Sequence, residues 1–130
     1  MKKYHFIRLA LMILSIFMLG LTGCKKMDEY RQRINSIEIE NIDLSQVKDG
    51  EYTGDYDAIL VKVSVLVKVK DHRIESIDLV KHENGRGKKA EVIPSLVVEK
   101  QSLKVDTVSG ATASSLVILE AIELALKKGM

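Results

Sequence analysis

The chain of 130 residues carries 20 Lys and Arg against 18 Asp and Glu, is 46% hydrophobic, and contains one Pro, one Cys and no Trp. That bounds it to one ordinary-sized domain and excludes a multidomain enzyme. A single Cys forms no intrachain disulfide, and the scattered His5, His72 and His82 supply no Cys/His metal framework, so any metal would have to come with a cofactor. Three of the 20 basic residues (Lys2, Lys3 and Arg8) lie in an N-terminal segment that reads as removable. Without them, 17 basic residues face 18 acidic ones, which is not the basic face a nucleic-acid partner needs.

After this charged start, Leu9 to Leu21 is an apolar run, followed by Leu21-Thr22-Gly23-Cys24. The run is shorter than the roughly 20 residues that span a hydrocarbon core and fits the h-region of a signal peptide, which implies export. The Leu-Thr-Gly-Cys sequence resembles the lipobox of bacterial lipoproteins. The resemblance implies that residues 1–23 are a signal peptide, and that Cys24 becomes the first mature residue and takes the lipid. Burial of an acyl chain contributes about 0.8 kcal/mol per CH2, so the two or three chains of a mature lipoprotein anchor stably. The expected location is the extracytoplasmic face of the cell membrane, lipid-anchored through Cys24.

Residues 24–46 are polar, with no sustained apolar face, and read as a tether carrying a short helix around Asp28 to Ser36. The compact domain is expected from Val47 to Met130. A first strand is predicted over Asp49 to Tyr56. A second over Ile59 to Val69 places Ile or Val at every odd position, with Lys62, Ser64 and Lys68 opposite. Lys70 to Arg73 breaks the pattern as a hairpin, and a third strand should end near His82. The three-residue spacing of Ile74 and Ile77 calls for a bulge near Ser76.

Glu83 to Lys89 reads as a loop, and Ala90 to Gln101 as a helix with Pro94 near its start. Leu116 to Leu126 is an Ala/Leu/Ile-rich helix, capped by the Ser and Thr before it and closed by Lys127-Lys128-Gly129. The expected fold is α+β: a small antiparallel sheet with helices packed on one side, carrying its ligand at the start of the C-terminal helix.

Asp106 to Ser115 is the chemically informative stretch. Gly110-Ala111 leaves little bulk, hydroxyls are dense, and a helix follows at once, so backbone N–H groups and the helix dipole would converge on an anion near Thr112. A plain helix cap has the same composition. The motif Asp106-x-x-Ser109-Gly110-Ala111-Thr112-x-Ser114-Ser115 resembles the flavinylation motif of the FMN-binding domain family, whose members include flavin-carrying components of the sodium-translocating NADH:quinone oxidoreductase and of the Rnf complex. Asp49-Gly50-Glu51-Tyr52-Thr53-Gly54 resembles that family's domain opening, and Gln101 to Asp106 its run into the motif, so the likeness covers about Val47 to Lys128.

The resemblance implies FMN as cofactor, joined through its phosphate to the Thr112 side-chain oxygen by a separate flavin transferase. Asp106 is then a recognition or positioning residue, Ser109 a donor to phosphate, Gly110 and Ala111 permit close approach, and Ser114 and Ser115 serve as caps. A free hydroxyl is a poor nucleophile at neutral pH, so the transferase must supply the activation. Tyr30, Tyr52 and Tyr56 are the only aromatics after Cys24, too few for a deep ring sandwich, and a covalent tether makes a shallow site sufficient.

The implied function is a flavin electron carrier or redox subunit, rather than an independent enzyme, passing electrons between a membrane donor and an external acceptor. The alternative is a lipoprotein that binds FMN reversibly, or a protein partner, with no redox role. No side chain is assigned a catalytic or metal-binding part. His82 and Glu83 read as a solvated strand end, with approach to the flavin as the alternative. Gly85-Arg86-Gly87-Lys88-Lys89 lacks the glycine spacing of a P-loop and reads as a solvated basic loop, with contact to phosphate or anionic lipid as the minor option.

Overall fold

The computed structural model describes residues 2–83 and 85–130; Met1, and Asn84 within the loop expected over Glu83 to Lys89, lie outside them. Three strands, β1 (Gly50–Asp57), β2 (Lys62–Lys70) and β3 (Arg73–Glu83), form one antiparallel sheet in the order β1-β2-β3. The period-2 pattern of β2 has its expected effect: Val63, Val65, Val67 and Val69 are buried, while Lys62, Ser64, Leu66 and Lys68 face away. β2 and β3 meet in a two-residue hairpin at Asp71-His72, both with positive φ (50° and 58°), between the paired Lys70 and Arg73. Asp and His tolerate this left-handed geometry, which matches the twist of the strands.

The third strand needs two bulges rather than one. Its register against β2 shifts between Lys68 and Val69 and again between Ser64 and Val65, so Glu75 and Val80 are the extra residues. The first lies beside Ser76, where the spacing called for it. Together they bring Ile74, Ile77, Leu79 and His82 to the inner side of the sheet although their spacings are three, two and three.

The inner face is covered by α2 (Ile93–Lys100) and α3 (Thr112–Lys127). This is the expected α+β arrangement. A five-residue 3-10 turn, Lys88–Val92, leads into α2, and Pro94 sits in the first helical turn, where its missing N–H costs nothing. α2 ends at Gln101 in the left-handed conformation (φ 52°). The Gln101 side-chain amide donates to Ile74 O at 2.9 Å, and its oxygen accepts from Ile74 N at 2.8 Å. α3 buries ten residues, among them Val117, Ile118, Ala121, Ile122, Ala125 and Leu126. It crosses β1 at Gly54, where an added Cβ would lie 1.8 Å from the Ala121 carbonyl oxygen.

The N-terminal part departs from the sequence expectation. The short helix expected around Asp28 to Ser36 is the end of a longer one, α1, which runs unbroken over Lys2–Asn35. Within Lys3–Asn35 an 18-residue window has a mean hydropathy of 2.0 and is 0% buried, so the helix is long and apolar enough to cross a membrane, a property shared by signal sequences.

Beyond it, the stretch read as a polar tether packs on the domain. Ile42 is 8% exposed and belongs to the core, and Tyr30, Ile34, Ile37, Ile39 and Leu44 pack against it. Glu40 N donates to buried Glu123 on α3 at 2.9 Å, and Asn41 Oδ1 accepts from Ser102 Oγ and Leu103 N. Two cationic side chains reach β1: Arg33 Nη1 donates to Asp57 O at 2.7 Å, and Lys128 Nζ to Thr53 O at 2.6 Å. The tether expectation failed because isoleucines alternating with polar residues, as at Ile37 and Ile39, look solvated when only helical periodicity is sought.

Candidate functional site

The Ser-Gly-Ala-Thr motif folds as a turn feeding directly into α3. Ala111 N donates to Val108 O at 2.9 Å, closing a four-residue turn with Ser109 and Gly110 at its centre. Gly110 has φ +80°, the value a type II turn demands of its third residue and one that side chains resist. A Cβ there would meet nothing within 4 Å, so the glycine is required by backbone conformation, with open space above it.

The expected capping by Ser and Thr is not what holds the helix start. The N-cap is Ala111, which makes no side-chain cap bond. Ser115 lies fully buried within the first turn; its Oγ donates to Ala111 O at 2.8 Å and accepts from Val108 N at 3.0 Å. One hydroxyl thus ties the turn to the helix. It can do so because its own N–H already follows the helical ladder to Ala111 O.

Thr112 is the first residue of α3 and is exposed, while Ser114 is buried beside it. The N–H groups of Thr112, Ala113 and Ser114 precede the first helical bond of that ladder and point out of the helix end, where the dipole favours an anion.

These residues form one wall of a cleft of about 460 Å3, a volume within the range of small-ligand sites. Among the described residues its lining joins four segments: Gly110 to Ser114, Gly85 to Gly87, Leu60 and Val61, and Met27 and Tyr30 of α1. Asp106 and Ser109 do not line it. Leu60 is presented by an unusual turn. Ile59 has φ 74°, which a β-branched side chain rarely adopts, and its N–H is held by Asp57 Oδ1 at 2.7 Å. That hydrogen bond, with a further one from Lys62, holds the Asp57 carboxyl below the usual aspartate value of 3.8.

The loop read as a solvated basic segment therefore reaches the site through Arg86. His82 differs from expectation as well. Its side chain is 3% exposed, and Nδ1 lies 3.1 Å from Glu91 Oε1. The second bulge of β3 causes this by rotating His82 from the solvent side to the inner side.

A family model of the FMN-binding domain matches residues 61–127, about half of the chain. The chain belongs to the FMN-binding domain family. FMN is its cofactor, and the cleft fits that group. A phosphate is matched by the amides of α3, the exposed Thr112 hydroxyl, the open space over Gly110 and the cation of Arg86. A flat ring system is matched by Met27, Tyr30, Leu60 and Val61 in the same lining. A search among curated proteins gave no match.

Sequence reasoning missed two contributors, the Leu60 turn and α1, and gave the loop of Arg86 a phosphate contact only as its minor option. For α1 a signal was present, since Met27, Tyr30 and Ile34 recur at spacings of three and four, the pattern of one helix face.

Proposed function

We propose that this protein is a membrane-anchored, extracytoplasmic flavoprotein, covalently flavinylated on Thr112, that carries electrons between a membrane donor and an external acceptor. The observation that carries the attachment site is the position of Thr112: first residue of α3, exposed, and opening on the cleft beside a glycine with free space around it. Ser115 could not serve, because its hydroxyl is buried and engaged on both sides. Ser114 is buried too, whereas a transferase must reach the acceptor oxygen from solvent.

Bound FMN supplies the redox chemistry, and the chain's residues position it. The α3 amides and Arg86 hold the phosphate end, the apolar wall holds the ring system, and one covalent bond replaces the deep pocket that a dissociable flavin would need. Export is supported by the apolar start of α1, which processing would remove, and anchoring by the Leu-Thr-Gly-Cys run before exposed Cys24, on which we place the lipid.

Coexpression with a flavin transferase should add the mass of an FMN phosphoester and a yellow colour that survives acid precipitation. Thr112→Ala should abolish both, and Thr112→Ser, which keeps the hydroxyl, should retain part of the modification. Flavin mapped to another hydroxyl would move the site. Flavin released on denaturation would replace the covalent reading with reversible binding. Cys24→Ala should block both processing and incorporation of labelled lipid.

A further inference from the structure

The cleft is not built by the family domain alone: two of its lining residues, Met27 and Tyr30, come from α1. They lie on one face of the helix, and the next residues on the domain side fix it in place. Arg33 bonds Asp57 O, and Ile34 packs against the core. Met27 and Leu60 are 41% and 47% exposed, so they and Tyr30 form an apolar wall that nothing within the chain fully covers. Processing before Cys24 would leave residues 24–35 of this helix, unbroken from the lipidated residue through Met27 and Tyr30. At about 1.5 Å per residue, Met27 and Tyr30 stand only about 4.5 Å and 9 Å along the axis from Cys24.

We propose that the helix following the lipidated Cys24 completes the cofactor site: Tyr30 and Met27 contact the ring system of the bound flavin and hold it at the level of the lipid headgroups. The inference rests on the anchored, flavinylated reading given above. Two features beyond the cleft wall agree with it. Lys25 and Lys26 follow Cys24 directly, and the loop that lines the cleft together with α1 carries exposed Arg86, Lys88 and Lys89, so cationic side chains flank the site, as an anionic lipid surface favours. The segment between anchor and domain is helix and docked chain, which sets a fixed height where a flexible linker would set a range.

The test uses the full chain, flavinylated by coexpression and reconstituted in phosphatidylcholine/phosphatidylglycerol vesicles. A tyrosine in contact with a flavin quenches its emission. Tyr30→Leu and Tyr30→Phe should therefore leave the attached mass unchanged while flavin emission rises several-fold, and Tyr30→Trp should restore quenching. Spin-labelled lipid headgroups should quench the emission of the parent. Inserting seven helix-forming residues between Cys24 and Lys25, which raises the domain by about 10 Å while leaving its cleft intact, should remove most of that quenching without affecting the contribution of Tyr30. A floating, flavinylated chain whose emission ignores both Tyr30 substitutions, or whose headgroup quenching ignores the insertion, overturns this inference alone. A parent without flavin mass, or one that fails to float with the vesicles, overturns the underlying reading and the inference with it.

Discussion

Gly54→Ala tests the packing that positions Thr112. The backbone at Gly54 needs no left-handed conformation, so the substitution acts through volume. Its new Cβ would lie 1.8 Å from Ala121 O and 2.9 Å from Ala121 C and Ala125 N. All three are backbone atoms of α3, and no rotamer change relieves them. Bringing the oxygen contact to a tolerable 3.0 Å requires a displacement of about 1.2 Å between β1 and α3.

Overpacking of this kind costs about 1–3 kcal/mol, and the rigid partner places Gly54→Ala at the upper end, about 3 kcal/mol. For a domain of this size that corresponds to a drop in Tm of about 12–24 °C. The assay is thermal melting of the purified chain followed by far-UV circular dichroism. Adding Ala121→Gly should give no rescue, because the methyl it removes is not the clashing group. A melting point within about 4 °C of the parent, or recovery in the double variant, would refute the close crossing of α3 over Gly54 and with it the placement of the helix that presents Thr112.

Three further outcomes are expected. Ser115→Ala leaves Val108 N without its partner and should destabilise the chain by about 1–3 kcal/mol by denaturant titration, with the flavin still mapping to Thr112. Ile42→Ala should cost about 2–5 kcal/mol by the same measurement, whereas a free tether would lose almost nothing. Asp57 has a lowered pKa, caused first by the Ile59 N–H bond and then by Lys62. Its stabilising contribution is therefore present above 3.8 and is lost as pH falls through the folded value. Denaturation midpoints measured from neutral to acid pH should fall less steeply between 3.8 and the folded value in Asp57→Ala than in the parent.

Much of the sheet was legible because β2 alternates strictly and because Ile74 and Ile77 could be reconciled only by an extra residue between them. The second bulge was not, since Val80 looks like a core residue in sequence and is 67% exposed in the fold. The Gly110 turn and the exposure of Thr112 agree with the motif, yet the serines that look like caps are interior, because Ser115 satisfies the preceding turn and not the helix end. The cleft as a whole was illegible. Its walls come from segments far apart in the chain, and only tertiary packing brings Arg86, Leu60 and Tyr30 to one place. Gly54 was visible as part of a resemblance, but its reason, a helix backbone crossing overhead, exists only in three dimensions.

A three-stranded sheet has two open edges, and each exposes backbone groups on which a second copy could extend the ladder. Here side chains occupy positions along both. Lys128 and Arg33 take carbonyls of β1, and the Gln101 amide pairs with both backbone groups of Ile74 on β3, as a neighbouring strand would. On the anchored reading proposed above, copies would meet in the plane of a membrane far more often than in free solution, and these plugs would oppose strand addition at the places where crowding would otherwise promote it.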